Sequence, residues 1–82
     1  MEILWDEPKR QSNLAKHGYD FADLEPAFFE TAAASDSYGG RMLAIGRFGD
    51  DVIAVAFRPL GTEAVSVISM RKADRNERSR IR

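Results

Sequence analysis

The run Asp51-Val52-Ile53-Ala54-Val55-Ala56-Phe57-Arg58 decides the fold. Alternate residues of a strand point to opposite faces. One face here carries Ile53, Val55 and Phe57, the other Val52, Ala54 and Ala56. Both are apolar, so the strand is central and covered on both sides. Gly49-Asp50 just before it has hairpin-turn chemistry, which makes Arg41 to Phe48 its antiparallel neighbour. Pro59 to Glu63 reads as a second turn and Ala64 to Met70 as the third strand. Upstream, Asp6 is placed to cap a helix that runs to Lys16 or His17, with Gly18 as its left-handed stop. Asp20 can cap a second helix, in which Phe21, Leu24 and Phe28 recur at helical spacing; Pro26 interrupts it or splits it into two turns. Ile3-Leu4-Trp5 makes a short first strand, and a further strand fits around residues 31–37. Asp74-x-x-Glu77 is a capping box for a last helix running to the chain end. The order β-α-α-β-β-β-α gives an α+β domain. Two N-terminal helices and a C-terminal helix pack on a mainly antiparallel sheet of about four strands.

A chain of 82 residues holds a single domain, residues 1–82. Apolar residues make up 44% and charged residues 30%, which excludes a disordered chain. Such a small core leaves stability marginal and favours a stabilising partner. The absence of cysteine removes disulfide and thiolate chemistry and suits a reducing cytoplasm. Met1 to Asp6 has no basic segment of the signal-peptide kind. The longest apolar run, Val52 to Phe57, is far short of the roughly 18 residues that span a bilayer. The expectation is a soluble, cytoplasmic domain without a membrane partner.

The net charge of −1 hides a polarity. Residues 18–40 carry five acids (Asp20, Asp23, Glu25, Glu30, Asp36) and no Lys or Arg, while residues 64–82 carry six bases against two acids. A basic end of this kind serves either as a phosphate footprint or as a solvated helix with its own ion pairs. In the first helix Lys9, Asn13 and Lys16 fall on one face, with His17 next to it. Such a polar stripe is either presented for a purpose or is a solvated surface, with His17 as a partner of the helix dipole. At the join of the third strand and last helix, Arg71 and Lys72 flank the helix start, and Arg75 and Arg78 share a helix face. Trp5 is read as core, with base stacking as the other use of such a ring. One His and no Cys leave too few ligands for a transition metal, so no metal or other cofactor is expected.

Three blocks carry a family resemblance. Trp5-Asp6-x-x-Lys9-x-x-x-Asn13-x-x-Lys16-His17-Gly18-x-x-Phe21 resembles the opening of the BrnT-type ribonuclease toxins. Arg41-x-x-x-Ile45-Gly46 resembles their second strand, and Ile68-Ser69-x-Arg71-Lys72-Ala73-x-x-x-Glu77-Arg78 their closing motif. The blocks occur in the family's order over residues 5–78. Met70 departs from it, standing where the family usually has a small residue such as alanine. The resemblance implies a RelE-like fold and a type II toxin that cleaves RNA to arrest translation. It implies a ribbon-helix-helix antitoxin as partner, with operator DNA bound only through their complex. His17 and Lys16 are then the candidates for proton transfer and Arg71 and Lys72 the phosphate stabilisers, all four catalytic. Lys9, Asn13, Arg75 and Arg78 are the candidates for RNA binding. The competing class is a non-catalytic module that binds nucleic acid or antitoxin, a degenerate toxin serving operon autoregulation.

Overall fold

Residues 42–72 fold into three consecutive antiparallel strands in the computed structural model, which describes residues 1–81. They are β3 (Met42–Phe48), β4 (Asp51–Leu60) and β5 (Ala64–Lys72). Gly49 turns the first hairpin at φ 60°. The whole sheet has five strands in the order β1-β5-β4-β3-β2, with β4 at its centre as its two apolar faces require. The expectation of about four mainly antiparallel strands is therefore corrected: the sheet is mixed. β1 (Glu2–Trp5) runs parallel to β5, with Trp5 opposite Val67. Its chain continues directly into a helix and cannot fold back as a hairpin, so it fills the edge that β5 leaves open. The additional strand around 31–37 is β2 (Ala33–Asp36), antiparallel to β3 at the other edge.

Pro59 and Leu60, read from sequence as turn, extend β4. Pairing with β3 ends at Met42–Phe57, so beyond it β4 has only one neighbour and a residue lacking an N–H is tolerated. A bulge interrupts β5. Ala56 faces Ser69 and Phe57 faces Val67, leaving Ile68 as the extra residue. It explains how Val65, Val67 and Met70, which break strict alternation, all enter the same core.

That core lies on one sheet face. Phe21, Leu24 and Phe28 pack there on Ala44, Ile53, Val55, Phe57 and the three β5 residues. Met70 is fully buried, so the larger residue at this position fills the main core. The other face carries a smaller cluster, Ile45, Ala54 and Ala73, with Leu43, Val52 and Ile81 against it. β4 is thus covered on both sides, with unequal depth.

The first helix, α1 (Glu7–His17), ends where Gly18 takes φ 79° and its N–H bonds Leu14 O at 2.9 Å. Asp6 occupies the capping position, but its side chain makes no capping bond. Pro26 splits the second helix: a 3₁₀ turn, Phe21–Asp23, is capped by the Asp20 carboxylate on Ala22 N–H at 2.9 Å, and α2 is Pro26–Thr31. The capping box of α3 (Arg75–Arg78) is complete, with Glu77 N–H on Asp74 Oδ1 at 2.8 Å and Asp74 N–H on Glu77 Oε1 at 3.0 Å. The last helix does not run to the chain end; it stops at Arg78, where tighter bonds from Arg80 N–H to Glu77 O and Ile81 N–H to Arg78 O turn Ile81 onto the smaller cluster. Arg82 lies outside the described residues. Among the described residues no helix is long and apolar enough to cross a membrane.

Candidate functional site

Parallel pairing of β1 stops at Val67, so from Ile68 onward β5 has no strand on its outer edge. A side chain of α1 takes the strand's place. Asn13 Nδ2 donates to Met70 O at 2.8 Å and to Tyr19 O at 3.1 Å, and its Oδ1 accepts from Met70 N–H at 3.0 Å. Asn13 is only 7% exposed. Both amide hydrogens are spent inside the protein, which gives Asn13 a positioning job, whereas the resemblance implied an RNA contact. It holds α1 against the bulge.

Between α1 and this length of β5 runs an open groove of about 560 Å³. Lys9, Ser12, Asn13, Ala15, Lys16, His17, Ile68 and Ser69 line it. The structure therefore brings Lys9, Lys16 and His17 together as their spacing implied. Among the described residues the ion pairs are Arg10–Glu7, Arg10–Asp20 and Arg71–Glu77, so the groove's three basic side chains are unpaired and exposed. Ser12 and Ser69 add hydroxyls that charge-based reading passed over. Ser12 could have been found, because it lies between Lys9 and Lys16 at +3 and −4 on the same helix face.

Ser69 and Arg71 are two residues apart beyond the bulge and share a sheet face. Opposite Arg71 is Ala54, a member of the smaller cluster, so this is the face that carries α3. Arg71 meets Glu77 of α3 as a fork, Nη1 to Oε1 at 2.7 Å and Nη2 to Oε2 at 2.8 Å. The guanidinium bonds hold the Glu77 carboxyl below its ordinary range, against the opposing effect of burial. The same bonds raise Arg71. Arg71 is thus a cation of fixed position, still 36% exposed, beside the groove's Ser69. Glu77 was legible as a helix cap; its second task, anchoring Arg71, had no local signal.

The other basic candidates are dispersed. Lys72 pairs opposite Ile53, so it lies on the main-core face at the strand end and is separated from Arg71. Arg78 Nη1 donates to Ala73 O at 3.1 Å, and Arg75 is exposed on α3. Trp5 packs against the main core and donates its indole N–H to Glu7 Oε1 at 3.1 Å. Arg10 ties Glu7 to Asp20, and its bonds, with those of Gln11 and Trp5, hold the Glu7 carboxyl down to about 2.

A second groove, about 460 Å³, opens under the acidic segment and is lined by Asp23, Glu25, Phe28, Thr31, Arg47 and Phe48 among others. Asp20 is not among its lining residues; the Ala22 N–H and then Arg10 occupy its carboxylate and lower its pKa. Among the described residues no three His, Cys, Asp or Glu side chains gather where a metal could be held.

The family model of the ribonuclease toxin BrnT of type II toxin–antitoxin systems matches residues 5–77. Among solved structures, the crystal structure of the Brucella abortus ribonuclease toxin BrnT is similar to this chain. The two are 56% identical with a TM-score of 0.85, over 92% of this chain and 99% of that one. Comparison with curated proteins finds no match.

Proposed function

The chain belongs to the BrnT family of ribonuclease toxins of type II toxin–antitoxin systems, and from that membership we propose a metal-independent endoribonuclease that cleaves RNA in the groove between α1 and β5. One observation carries the site: Lys9, Lys16 and His17 stand unpaired in one groove with Ser69, and Arg71 is fixed on the adjoining sheet face.

RNA supplies its own nucleophile, so the protein needs to position groups and provide charge. In the proposed step the His17 imidazole takes the proton of the 2′-OH as that oxygen attacks the adjacent phosphorus. The Lys16 ammonium delivers a proton to the departing 5′-oxygen, leaving a 2′,3′-cyclic phosphate and a free 5′-OH. Lys9 and Arg71 stabilise the pentavalent phosphate. Lys72, Arg75 and Arg78 hold flanking phosphates from outside the groove. A single His in the chain and the lack, among the described residues, of a His, Cys, Asp or Glu cluster favour this scheme over a metal-assisted one.

The same membership supports a RelE-like assignment of the fold and a cytoplasmic site of action. It also supports arrest of translation and silencing by a ribbon-helix-helix antitoxin whose complex binds operator DNA. The test is induced expression without antitoxin, following growth and total RNA, beside purified protein assayed on RNA with a chelator. Wild type is expected to arrest growth and cut RNA in chelator. Lys16→Ala/His17→Ala should cut about 10²–10³-fold more slowly. That variant is cleaner than Arg71→Ala/Lys72→Ala, which also leaves Glu77 without its partner. Folded wild-type protein that leaves growth and RNA untouched would end the catalytic reading.

A further inference from the structure

Tyr38 is the most exposed large apolar side chain among the described residues, 75% in solvent. The Arg41 guanidinium lies over its ring, 5.1 Å from the centroid, and Nη1 donates to the Tyr38 hydroxyl at 3.3 Å. Arg58 Nη2 donates to Gly39 O at 3.0 Å and ties this loop to β4. Gly39 and Gly40, at φ 66° and 76°, turn the chain between Tyr38 and β3. None of the groove residues takes part in this arrangement.

Its location follows from strand register. Phe57 faces the main core, so its neighbour Arg58 faces the α3 side, the face that also carries Arg71. Arg58 pairs opposite Ser66 and lies one strand spacing and about three residues from Ser69, on the order of 10 Å away. The small side chains of Ala56, Ser66 and Ser69 leave this part of the face low. α3 covers only the far corner, where Ala73 and Ile81 sit. The acids Asp23 and Glu25 line a groove with Phe28 of the main core, on the opposite side. A polyanion is therefore drawn to the Arg58 and Arg71 side more than to the acidic groove. An exposed ring, backed by one guanidinium and flanked by a second, combines a stacking surface with phosphate-binding charge.

We propose that Tyr38, backed by Arg41 and flanked by Arg58, is a stacking subsite for one unpaired base of single-stranded RNA, across the sheet face from the cleavage groove. The proposal rests on the ribonuclease reading and extends it: Tyr38 holds a flanking nucleotide and takes no part in bond breaking. A strand lying across the small residues reaches the Arg58 end and the Ser69 groove together.

The test uses the full chain and a short mixed-sequence RNA made with 2′-O-methyl sugars, which lacks the attacking hydroxyl and cannot be cut. Its binding to wild type, Tyr38→Ala and Tyr38→Phe is followed by fluorescence anisotropy, with steady-state cleavage of ordinary RNA as the second readout. Tyr38→Ala is expected to weaken binding roughly 5- to 100-fold and to raise KM in proportion with kcat unchanged; Tyr38→Phe keeps wild-type affinity. Equal affinity of Tyr38→Ala and wild type overturns the subsite and leaves the ribonuclease reading standing. So does a loss of antitoxin affinity with RNA affinity intact, which would make the ring a protein contact. Wild type that neither binds nor cuts RNA overturns both. Unchanged melting temperatures show that a difference in affinity is not a failure to fold.

Discussion

Removing the Asn13 carboxamide leaves the N–H and C=O of the fully buried Met70 without partners. Each stranded group costs about 1–3 kcal/mol, so Asn13→Ala should lose about 2–6 kcal/mol, a fall of about 8 °C or more in thermal melting. A melting point within a degree or two of wild type would show that water replaces the side chain freely. Gly46 is constrained differently. A Cβ there would lie 3.0 Å from Phe28 Cε1 and 3.2 Å from Ala32 Cβ, so α2 rests directly on β3 at this residue. Gly46→Ala is expected to cost about 1–3 kcal/mol in chemical denaturation. Helical spacing placed Asn13 with Lys9 and Lys16 correctly but could not say which member turns inward. The usual rule inverts here: Leu14 is 40% exposed while Asn13 is buried. The surface beneath α1 is a bare strand edge, whose polar backbone suits an amide better than a leucine.

The short α3 is held by the Glu77 carboxylate, which bonds Arg71 and Asp74 N–H together. Its folded-state pKa lies below the ordinary 4.5, so the unfolded chain takes up the proton first. The contribution is complete above pH 4.5 and is lost as pH falls through the folded value. Glu7 and Asp20 act in the same direction. Melting temperature should therefore drop as pH falls below 4.5, and Glu77→Gln, less stable at pH 7 by about 1–3 kcal/mol, should show a shallower drop. Parallel curves for the two proteins would remove Glu77 from the account. The hairpins, the capping box and the split at Pro26 were legible because each is decided by residues a few positions apart. The mixed sheet was not: β1 joins β5 across the whole chain, and no local pattern marks such a pairing. Nor was the early stop of α3, beyond which Ile81 packs on the smaller cluster.

At the scale of the molecule, Asp23 and Glu25 gather at a groove away from Lys9, Lys16 and His17. The acidic groove with Phe28 and Phe48 on one side has the charge that would suit a basic segment of the proposed antitoxin. Asp23→Asn/Glu25→Gln should then reduce antitoxin affinity by about tenfold, and more at low salt, without slowing RNA cleavage. Unchanged affinity in a titration would move the partner elsewhere. Asp20, grouped with these acids in the sequence, is unsuitable for that test, because its carboxylate is a structural partner of Arg10. The Asn13–Met70 bonds, which join residues 57 positions apart, also set a schedule. The meander β3-β4-β5 forms from neighbours, whereas β1 and α1 have nothing to dock on until residues 64–72 exist. A chain still being translated thus has its lysines and histidine but no groove to hold them. If the groove is the cleavage site proposed above, a nascent chain cannot cut RNA until its synthesis is nearly over.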